Sequence, residues 1–109
     1  MAIDAKPRLK LPKTAAKGEV LEIKTLITHP MESGQRKDGD GKTIPRQIIN
    51  KFVCKFNGAP VFSADLYPSM SANPYIVFNV KMQESGEFEF LWTDDDGSVY
   101  ADKKKIEVA

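Results

Sequence analysis

Chemistry that depends on a nucleophile or a metal has few candidate residues in this sequence of 109 residues, which holds one histidine, His29, and one cysteine, Cys54. One residue of each kind cannot supply the three or four His and Cys ligands of a zinc site. A Cys54–His29 nucleophile–base pair is formally possible. However, Cys54 alternates with Phe52 and Phe56 in "KFVCKF", and apolar surroundings raise the pKa of a thiol and lower its reactivity. We therefore predict a buried structural cysteine, with a disulfide to another subunit as the second interpretation and a catalytic thiol as the least favoured.

Two acidic stretches resemble chemical sites but are typical of turns. In "KDGDGK", placing Asp38 and Asp40 at the third and fifth positions of a calcium loop puts Arg36 at the first. The twelfth position then falls on Gln47, although both of these end positions require carboxylates. In "TDDDG", adjacent carboxylates of a strand and turn point in different directions, and Asp-Gly is first a hairpin signal. With no glycine-rich phosphate loop or nucleophile elbow either, we predict no catalytic, cofactor-binding or metal-binding residue.

The composition is that of one folded domain without a strong charge. Charged residues make up 28% of the sequence and the net charge is +1, which argues against nucleic acid as a partner. Hydrophobic residues make up 41%, enough for a packed core. The N-terminal stretch "MAIDAKPRLKLPKTAAKGE" has no apolar run of signal-peptide length, and no segment approaches the length of a membrane span. Composition alone therefore predicts a cytoplasmic protein that binds neither nucleic acid nor membrane.

Alternation of apolar and polar residues predicts strands along most of the chain. Residues 1–17 form a proline- and lysine-rich leader, in which "PRLKLP" suits a short edge strand. Residues 18–109 form the domain proper, with strand patterns in "GEVLEIKTLI", "QIINKFVCKFN", "APVFSADL", "PYIVFNVKM", "EFEFLWTD" and "SVYADKKKIEV". Asn57-Gly58 and the Asp-Gly of "DDDG" predict hairpin turns. About seven strands without an amphipathic helix predict an all-β fold, an immunoglobulin-like antiparallel β-sandwich.

The longest stretch without a strand pattern runs from about residue 29 to residue 45 and includes "HPMESGQRKDGDGK". Irregular segments of this length in compact domains are usually functional or mobile. His29 follows a predicted strand, so we expect it at the mouth of the loop. Glu32 with Arg36 and Lys37 predicts either an ion-paired loop or a recognition patch, and exposed ion pairs contribute little stability. Binding is therefore the better reason for these charges.

Four longer pieces, "HPMESGQRKD", "IPRQIINKFVC", "SANPY" and "FLWTDDDG", resemble the Z subunit of the sulfur-oxidation carrier complex, SoxYZ. The resemblance runs from about Ile23 to Tyr100. It implies a non-catalytic subunit of a periplasmic carrier, with an immunoglobulin-like sandwich. In that family the Y subunit carries the sulfur intermediates of thiosulfate oxidation on a cysteine near the end of a mobile, glycine-rich C-terminal arm. This sequence ends "KKKIEVA", so it resembles the companion of that carrier.

The resemblance also implies partners and a compartment. The expected partner is a SoxY-type subunit, in a heterodimer or heterotetramer, and other Sox enzymes such as SoxAX, SoxB and SoxCD are expected to visit transiently. The Z subunit is expected to cross the membrane folded and bound to a partner that bears a twin-arginine signal. The expected location is then periplasmic by co-export, in place of the cytoplasmic location that composition predicts.

The partner-binding surface, for either the Y subunit or the enzymes that visit it, is predicted in two stretches, the loop His29–Lys37 and the region Trp92–Asp96. Aromatic, arginine and adaptable methionine side chains suit a contact surface. The predicted contact residues are His29, Met31, Glu32, Arg36, Lys37, Trp92, Asp94, Asp95 and Asp96. Cys54 is the candidate for an intersubunit disulfide. Two other functions stay open: a stand-alone immunoglobulin-like binding or redox-accessory domain, and an enzyme that uses the thiol of Cys54.

Overall fold

The computed structural model describes residues 5–68, 70 and 72–109 of the chain. These residues contain eight β-strands and no helix. The all-β class predicted from the sequence is confirmed. The pattern missed β2, because a strand of two residues is too short to show alternation. No helix in the described ranges could span a membrane. The strands are β1 (Pro7–Lys10), β2 (Thr14–Ala15), β3 (Val20–Ile27), β4 (Ile49–Phe56), β5 (Ala59–Asp65), β6 (Tyr75–Lys81), β7 (Gly86–Asp94) and β8 (Val99–Val108).

The strands form two sheets. The three-stranded sheet has the order β1-β3-β6, and the five-stranded sheet has the order β2-β8-β7-β4-β5. Neighbouring strands run antiparallel, except that β2 pairs in parallel with the end of β8. The edge strand predicted in the leader is β1, which pairs with β3 from Pro7 opposite Ile27 to Lys10 opposite Lys24. Residues 7–15 thus contribute one strand to each sheet.

The core lies between the sheets and is filled by alternate side chains of the strands. In β3 the inward residues Leu21, Ile23 and Ile27 are buried, as their alternation predicts. The three aromatic residues of "FEFLW" in β7 are fully buried as well. Phe52 of β4 contacts Trp92 of β7, with ring centroids 5.1 Å apart. Because burying each such side chain contributes about 1.5–3 kcal/mol, packing can hold the sandwich together without a disulfide.

The two Asx-Gly dipeptides that were predicted to form hairpins, Asn57-Gly58 and Asp96-Gly97, both lie in hairpin turns. Asn57 and Gly58 join β4 to β5 with φ angles of 50° and 86°. Two successive positive φ angles are the requirement of a type I′ turn, whose twist matches that of the flanking strands. Between β7 and β8, Gly97 has a φ of 87° and its amide donates to the carbonyl of Asp94 at 3.0 Å. The two predicted hairpins are therefore confirmed.

The start of β4 departs from regular alternation. The register between β4 and β7 shifts between Ile49 and Lys51, which leaves Asn50 without an opposite residue. Ile48 and Ile49 are both buried, whereas regular alternation would place only one of two consecutive residues on the inward face. An extra residue of this kind bends a strand and redirects a side chain. Here it lets the Asn50 side chain donate to the Asp95 carboxylate at 3.0 Å, so the irregularity helps to build the candidate site.

Candidate functional site

The four sequence pieces that carry the family resemblance meet at one end of the sandwich. Asn73, shortly before β6, makes two hydrogen bonds with the main chain of His29. The His29 N–H donates to the side-chain oxygen of Asn73 at 2.9 Å, and the main-chain N–H of Asn73 donates to the His29 carbonyl at 2.8 Å. The amide of Asp95, just after β7, donates to the Ile48 carbonyl at 2.9 Å. These bonds tie together segments that are far apart in the sequence. We call this region the motif end, and it comprises residues 29–37, 44–50, 73, 94–96 and 100.

A buried histidine–carboxylate pair lies at the centre of the motif end. His29 Nε2 is 2.6 Å from Asp94 Oδ2, and both side chains are fully buried. The amide of Met31 donates to His29 Nδ1 at 2.9 Å. Since Nδ1 accepts a hydrogen bond, the ring proton belongs on Nε2, which donates it to the carboxylate. The tautomer of His29 is therefore assigned by its two partners.

The carboxylate of Asp94 receives a second side-chain donor from the neighbouring strand. Tyr100 of β8 donates its hydroxyl to Asp94 Oδ2 at 2.8 Å. Burial, together with the adjacent Asp94 carboxylate, raises the pKa of Tyr100. A buried carboxylate is costly unless hydrogen bonds satisfy it. Because both nitrogens of His29 are occupied, the ring serves to anchor the loop and is not free to act as a base.

Four members of the predicted contact set are buried in the chain itself, which corrects the expectation that they form exposed surface. The exposed fractions of His29 and Asp94 are each 1%. Burial of these two polar side chains is favourable because they form a hydrogen bond with each other. Met31, at 5%, adopts a positive φ of 51°, and its sulfur accepts from the Ile49 amide at 3.3 Å. Trp92 is fully buried in the aromatic core. These residues build the motif end from within.

The other members of the predicted set reach the surface. In the loop after β3, the Glu32 carboxylate accepts two hydrogen bonds from the Arg36 guanidinium, one of them from Nε at 3.2 Å. These bonds lower the pKa of Glu32 and raise that of Arg36. The ion-paired loop that the sequence predicted is therefore present. The exposed or partly exposed members are Glu32, Arg36, Lys37, Asp95 and Asp96.

Asp95 joins the loop to the β7–β8 turn. Its carboxylate accepts from Arg46 Nε at 2.9 Å, from the Ile48 amide at 3.1 Å and from the Asn50 side chain at 3.0 Å. Partial burial alone would raise the pKa of Asp95. The hydrogen bonds from Asn50, Arg46 and Ile48 outweigh that effect and hold the pKa below its ordinary value. Asp95 is therefore charged at neutral pH and fixed in position by three donors.

A shallow groove of about 290 Å³ runs across the exposed side of the motif end. It is lined by residues 44–47 and by Glu32, Asp95 and Asp96. The side chain of Gln47 donates to Asp96 at 3.1 Å, and the main chain of Gln47 pairs with that of Glu32. An open groove of mixed charge cannot exclude water from a reaction. Its chemistry suits contact with another protein surface.

The glycine-rich stretch within the loop forms a turn. Asp38 Oδ1 accepts from the amides of Asp40 at 2.9 Å and Lys42 at 3.0 Å. Gly41 has a φ of 80°, a conformation that glycine adopts without steric cost. The carboxylate thus caps its own turn, and the interpretation of "KDGDGK" as a solvated turn is confirmed.

A family model for the sulphur oxidation protein SoxZ matches residues 9–105 of the chain. The chain belongs to the SoxZ family. The resemblance noted from the four sequence pieces is confirmed, and the matched range includes every residue of the motif end. A comparison with curated proteins finds no match.

Solved structures of low sequence identity share the fold of this SoxZ-family chain. A superoxide reductase (neelaredoxin) from Ignicoccus hospitalis is 15% identical, with a TM-score of 0.72 over 94% of this chain and 80% of that one. A putative superoxide reductase from Thermotoga maritima is 17% identical, with a TM-score of 0.71 and coverages of 94% and 85%. The sulfur carrier protein SoxY from Chlorobium limicola f thiosulfatophilum is 14% identical, with a TM-score of 0.66 and coverages of 94% and 78%. At these identities the likeness concerns the fold alone, and it confirms the immunoglobulin-like sandwich.

Cys54 of this SoxZ-family chain lies in the core. Cys54 is fully buried, and this burial raises the pKa of its thiol to about 12. The predicted structural cysteine is therefore confirmed. A disulfide to another subunit would require the sandwich to open, so the structure gives no support to that alternative. A pair with His29 is excluded by the occupation of both ring nitrogens.

The sequence analysis missed several residues that build the motif end. Arg46, Asn50 and Asn73 lie within the family-like pieces "IPRQIINKFVC" and "SANPY", which was the only signal for them. Tyr100 carried no signal, since it has the pattern of an ordinary strand residue. All four act through contacts with residues more than 5 positions away, such as the bond from Arg46 to Asp95 across 49 positions. Such pairings cannot be read from local periodicity.

Proposed function

We propose that this SoxZ-family chain is the non-catalytic companion of a SoxY-type subunit that carries sulfur intermediates covalently during thiosulfate oxidation. The family match over residues 9–105 carries the proposal. The fold that the chain shares with SoxY from Chlorobium supports a complex of two similar sandwiches. In this proposal the carrier cysteine belongs to the partner, and the present chain supports that partner and presents it to the other Sox enzymes.

A companion role agrees with the chemistry of the chain's own thiol. Burial raises the pKa of the Cys54 thiol to about 12, so the thiol is protonated at pH 8, whereas the thiolate is the reactive form. Cys54 is also fully buried, so a substrate cannot reach it in the folded chain. These observations support a protein that does not carry sulfur itself and argue against a thiol enzyme.

The exposed part of the motif end is the surface that we assign to the visiting enzymes, such as SoxAX, SoxB or SoxCD. Glu32 and Arg36 fix each other in the loop, and Arg46 and Asp95 fix each other beside the groove. Charged side chains held in place present a defined pattern to a partner and steer its approach. Lys37, next to Arg36, adds an exposed positive charge at the same end.

The proposed compartment is the periplasm, reached by co-export with the signal-bearing partner. Such a route requires the chain to fold before export, in a reducing compartment. The core described above contains one free, buried cysteine and needs no disulfide, so folding in that compartment is chemically feasible.

Native mass spectrometry without reductant tests the proposal on protein recovered from the periplasm of source cells grown on thiosulfate. We expect a 1:1 or 2:2 complex with a second chain that bears the sulfur adducts. A lone 12.2 kDa monomer with sulfur on Cys54 would overturn the companion role. Recovery of the chain only from the cytoplasm would overturn the proposed compartment.

Thiol labelling separates the companion from a thiol enzyme. At pH 8 we expect iodoacetamide to modify Cys54 about a thousandfold more slowly in the folded chain than in denaturant, because the folded chain has both a raised pKa and no access. Rapid and stoichiometric labelling of the folded chain would contradict the proposal and favour a reactive thiol.

A further inference from the structure

The free edge of β6 lacks the proline, the short length and the irregular register that protect the other sheet edges of the described structure, and its one charged residue, Lys81, lies at the end of the strand. The edge strands are β1 and β6 in one sheet and β2 and β5 in the other. Proline, short length and bulges commonly protect an edge from pairing with another chain. β1 has four residues and begins at Pro7, β2 has two residues, and β5 contains Pro60 and pairs with β4 through an irregular register. β6 has seven residues, "YIVFNVK", and no proline.

The hydrogen-bonding pattern shows which main-chain groups of β6 face outward. Where β6 meets β3, the Ile27 amide donates to the Pro74 carbonyl at 3.3 Å and the Met82 amide donates to the Glu19 carbonyl at 2.8 Å. In an antiparallel pair, bonded and non-bonded positions alternate along the strand. Within the β3–β6 ladder, every second residue of β6 therefore directs its N–H and C=O away from β3. These outward residues are Tyr75, Val77, Asn79 and Lys81.

The outward groups have no main-chain partner within the described ranges of the chain. β6 pairs with β3 alone, and no bond from a turn or loop of those ranges reaches the outward amides. A row of four such residues spaced two apart is the template for one more strand, which would satisfy all of them at once. Extended backbone is therefore the chemistry that fits this edge.

The side chains beside this edge favour a protein partner. Tyr75 is 54% exposed and Val77 is 41% exposed, although both belong to a regular strand. Opposite them on β3 lie Leu26 and Lys24. Exposed aromatic and aliphatic side chains that adjoin one another mark contact surfaces more often than scattered ones do. The edge therefore offers apolar contact as well as hydrogen bonds.

The face next to the edge is basic. Arg8 lies opposite Leu26 and Lys10 lies opposite Lys24, so these three cations lie on the same face as the apolar residues. Lys24 also contacts the Glu22 carboxylate at 3.5 Å. A depression of about 150 Å³ lies between these cations and the ring of Tyr75. An added strand would lie about 10 Å from β3 and about 14 Å from β1, so its carboxylates would meet Lys81 of β6 directly and would feel Lys24 and Arg8 only at longer range.

We propose that the edge of β6 receives a β-strand of the SoxY-type subunit, so that the three-stranded sheet continues into the partner. This inference rests on the proposed function and adds the location of its interface. This partner is chosen because the proposed function requires a stable interface with it, and SoxY, with a sandwich of the same fold, has extended strands that can supply one. The added strand is expected to place an apolar residue beside Val77 and acidic residues toward the basic face.

A proline substitution tests the outward hydrogen bonds without disturbing the sheet. Val77→Pro removes an outward N–H and leaves the ladder between β3 and β6 complete. The matched control is Ser63→Pro on the edge strand β5. The Leu66 amide donates to the Asn50 carbonyl on β4, and bonded and non-bonded residues alternate along β5. Ser63, three residues before Leu66, therefore directs its N–H away from β4, and proline there removes an outward N–H as Val77→Pro does on β6. Val77→Ala keeps the N–H and removes only the side chain. Circular dichroism and thermal melts confirm that each variant is folded.

The readout is affinity for the SoxY-type subunit of the same organism, measured by titration with the full-length chain. We expect Val77→Pro to weaken binding at least tenfold, Val77→Ala to weaken it less than threefold, and Ser63→Pro to leave it unchanged. Amide hydrogen exchange provides a second readout. The amides of Val77 and Asn79 should exchange at least tenfold more slowly in the complex, whereas those of Ile76 and Phe78 are protected already in the free chain.

Each outcome of this experiment has a distinct meaning. Normal binding by Val77→Pro, or unchanged exchange at Val77, would overturn the β6 interface and leave the companion role standing. Failure of the unmodified chain to bind the SoxY-type subunit would overturn the proposed function itself. Self-association of the unmodified chain that Val77→Pro abolishes would assign the edge to a second copy and overturn the choice of partner.

Discussion

His29 shows at the scale of a single residue how this chain uses a titratable side chain for structure. Its ring lies between the Met31 amide and the Asp94 carboxylate, which sit on the loop and at the end of β7. Its main chain is held in turn by Asn73. One buried residue thus connects three segments of the motif end. The exposed charges of that end depend on this connection for their position.

Replacement of His29 by alanine should destabilise the folded chain by about 3 kcal/mol, because it leaves the buried Asp94 carboxylate with one donor fewer and opens a cavity. Urea unfolding at pH 7 measures the loss. The control is Arg36→Ala, which breaks an exposed ion pair and should leave the unfolding midpoint unchanged within error. Equal midpoints for the unmodified chain and His29→Ala would contradict the anchoring role.

Asp95 should make the stability depend on pH in the acid range. The pKa of Asp95 is lower in the folded chain than its ordinary value of 3.8. Its contribution is therefore fully present above the unfolded pKa and is lost as the pH falls through the folded value. We expect Asp95→Asn to reduce the fall in unfolding free energy between pH 5 and about pH 2, and Arg46→Gln to reduce it partly. An acid profile of Asp95→Asn that parallels that of the unmodified chain would show that other carboxylates dominate.

At the scale of the elements, the turns offer a test in which only backbone conformation differs. Gly58 in the β4–β5 hairpin has a φ of 86°, whereas Gly39 does not have a positive φ, and a Cβ at either position would meet no atom within 4 Å. An L-residue in the left-handed region costs about 1–2 kcal/mol. We expect Gly58→Ala to lose about that much unfolding free energy and Gly39→Ala to lose none. Equal effects in thermal or urea unfolding would contradict the type I′ assignment.

Regular strands were predictable from this sequence, and the construction of the motif end was not. Alternation places Leu21, Ile23 and Ile27 correctly, because one buried face imposes period two on a strand. His29 and Asp94 have polar side chains at strand ends, where local pattern predicts exposure. Only the long-range hydrogen bond between the His29 and Asp94 side chains, 65 positions apart in the sequence, makes their burial favourable. The family-like pieces marked the right segments without indicating which side chains turn inward.

At the scale of the whole molecule, the two surfaces assigned above adjoin at one corner. β6 begins at Tyr75, two residues after Asn73, which anchors His29 in the motif end. A partner strand along β6 would therefore end beside the charged groove of that region. An enzyme that docks at the motif end would then meet this chain and its partner together. In the proposed complex this chain would present a fixed surface next to the partner subunit, which would give a chain whose own thiol is buried a role in each encounter.

Reversal of the loop charges should separate these two surfaces. Arg36→Glu combined with Lys37→Glu should leave assembly with the SoxY-type subunit unchanged and slow association of the assembled complex with a Sox enzyme about tenfold at low salt, because steering depends on exposed charge. The matched control is Lys104→Glu with Lys105→Glu, which makes the same change in net charge on β8, opposite Phe88 and Glu87 at the other end of the sandwich. Stopped-flow kinetics at several ionic strengths measures the effect, which should shrink as salt increases. Equal slowing by the two double variants would show that association depends on net charge and not on the position of the loop charges. Loss of assembly in the loop variant would assign the motif end to the Y subunit.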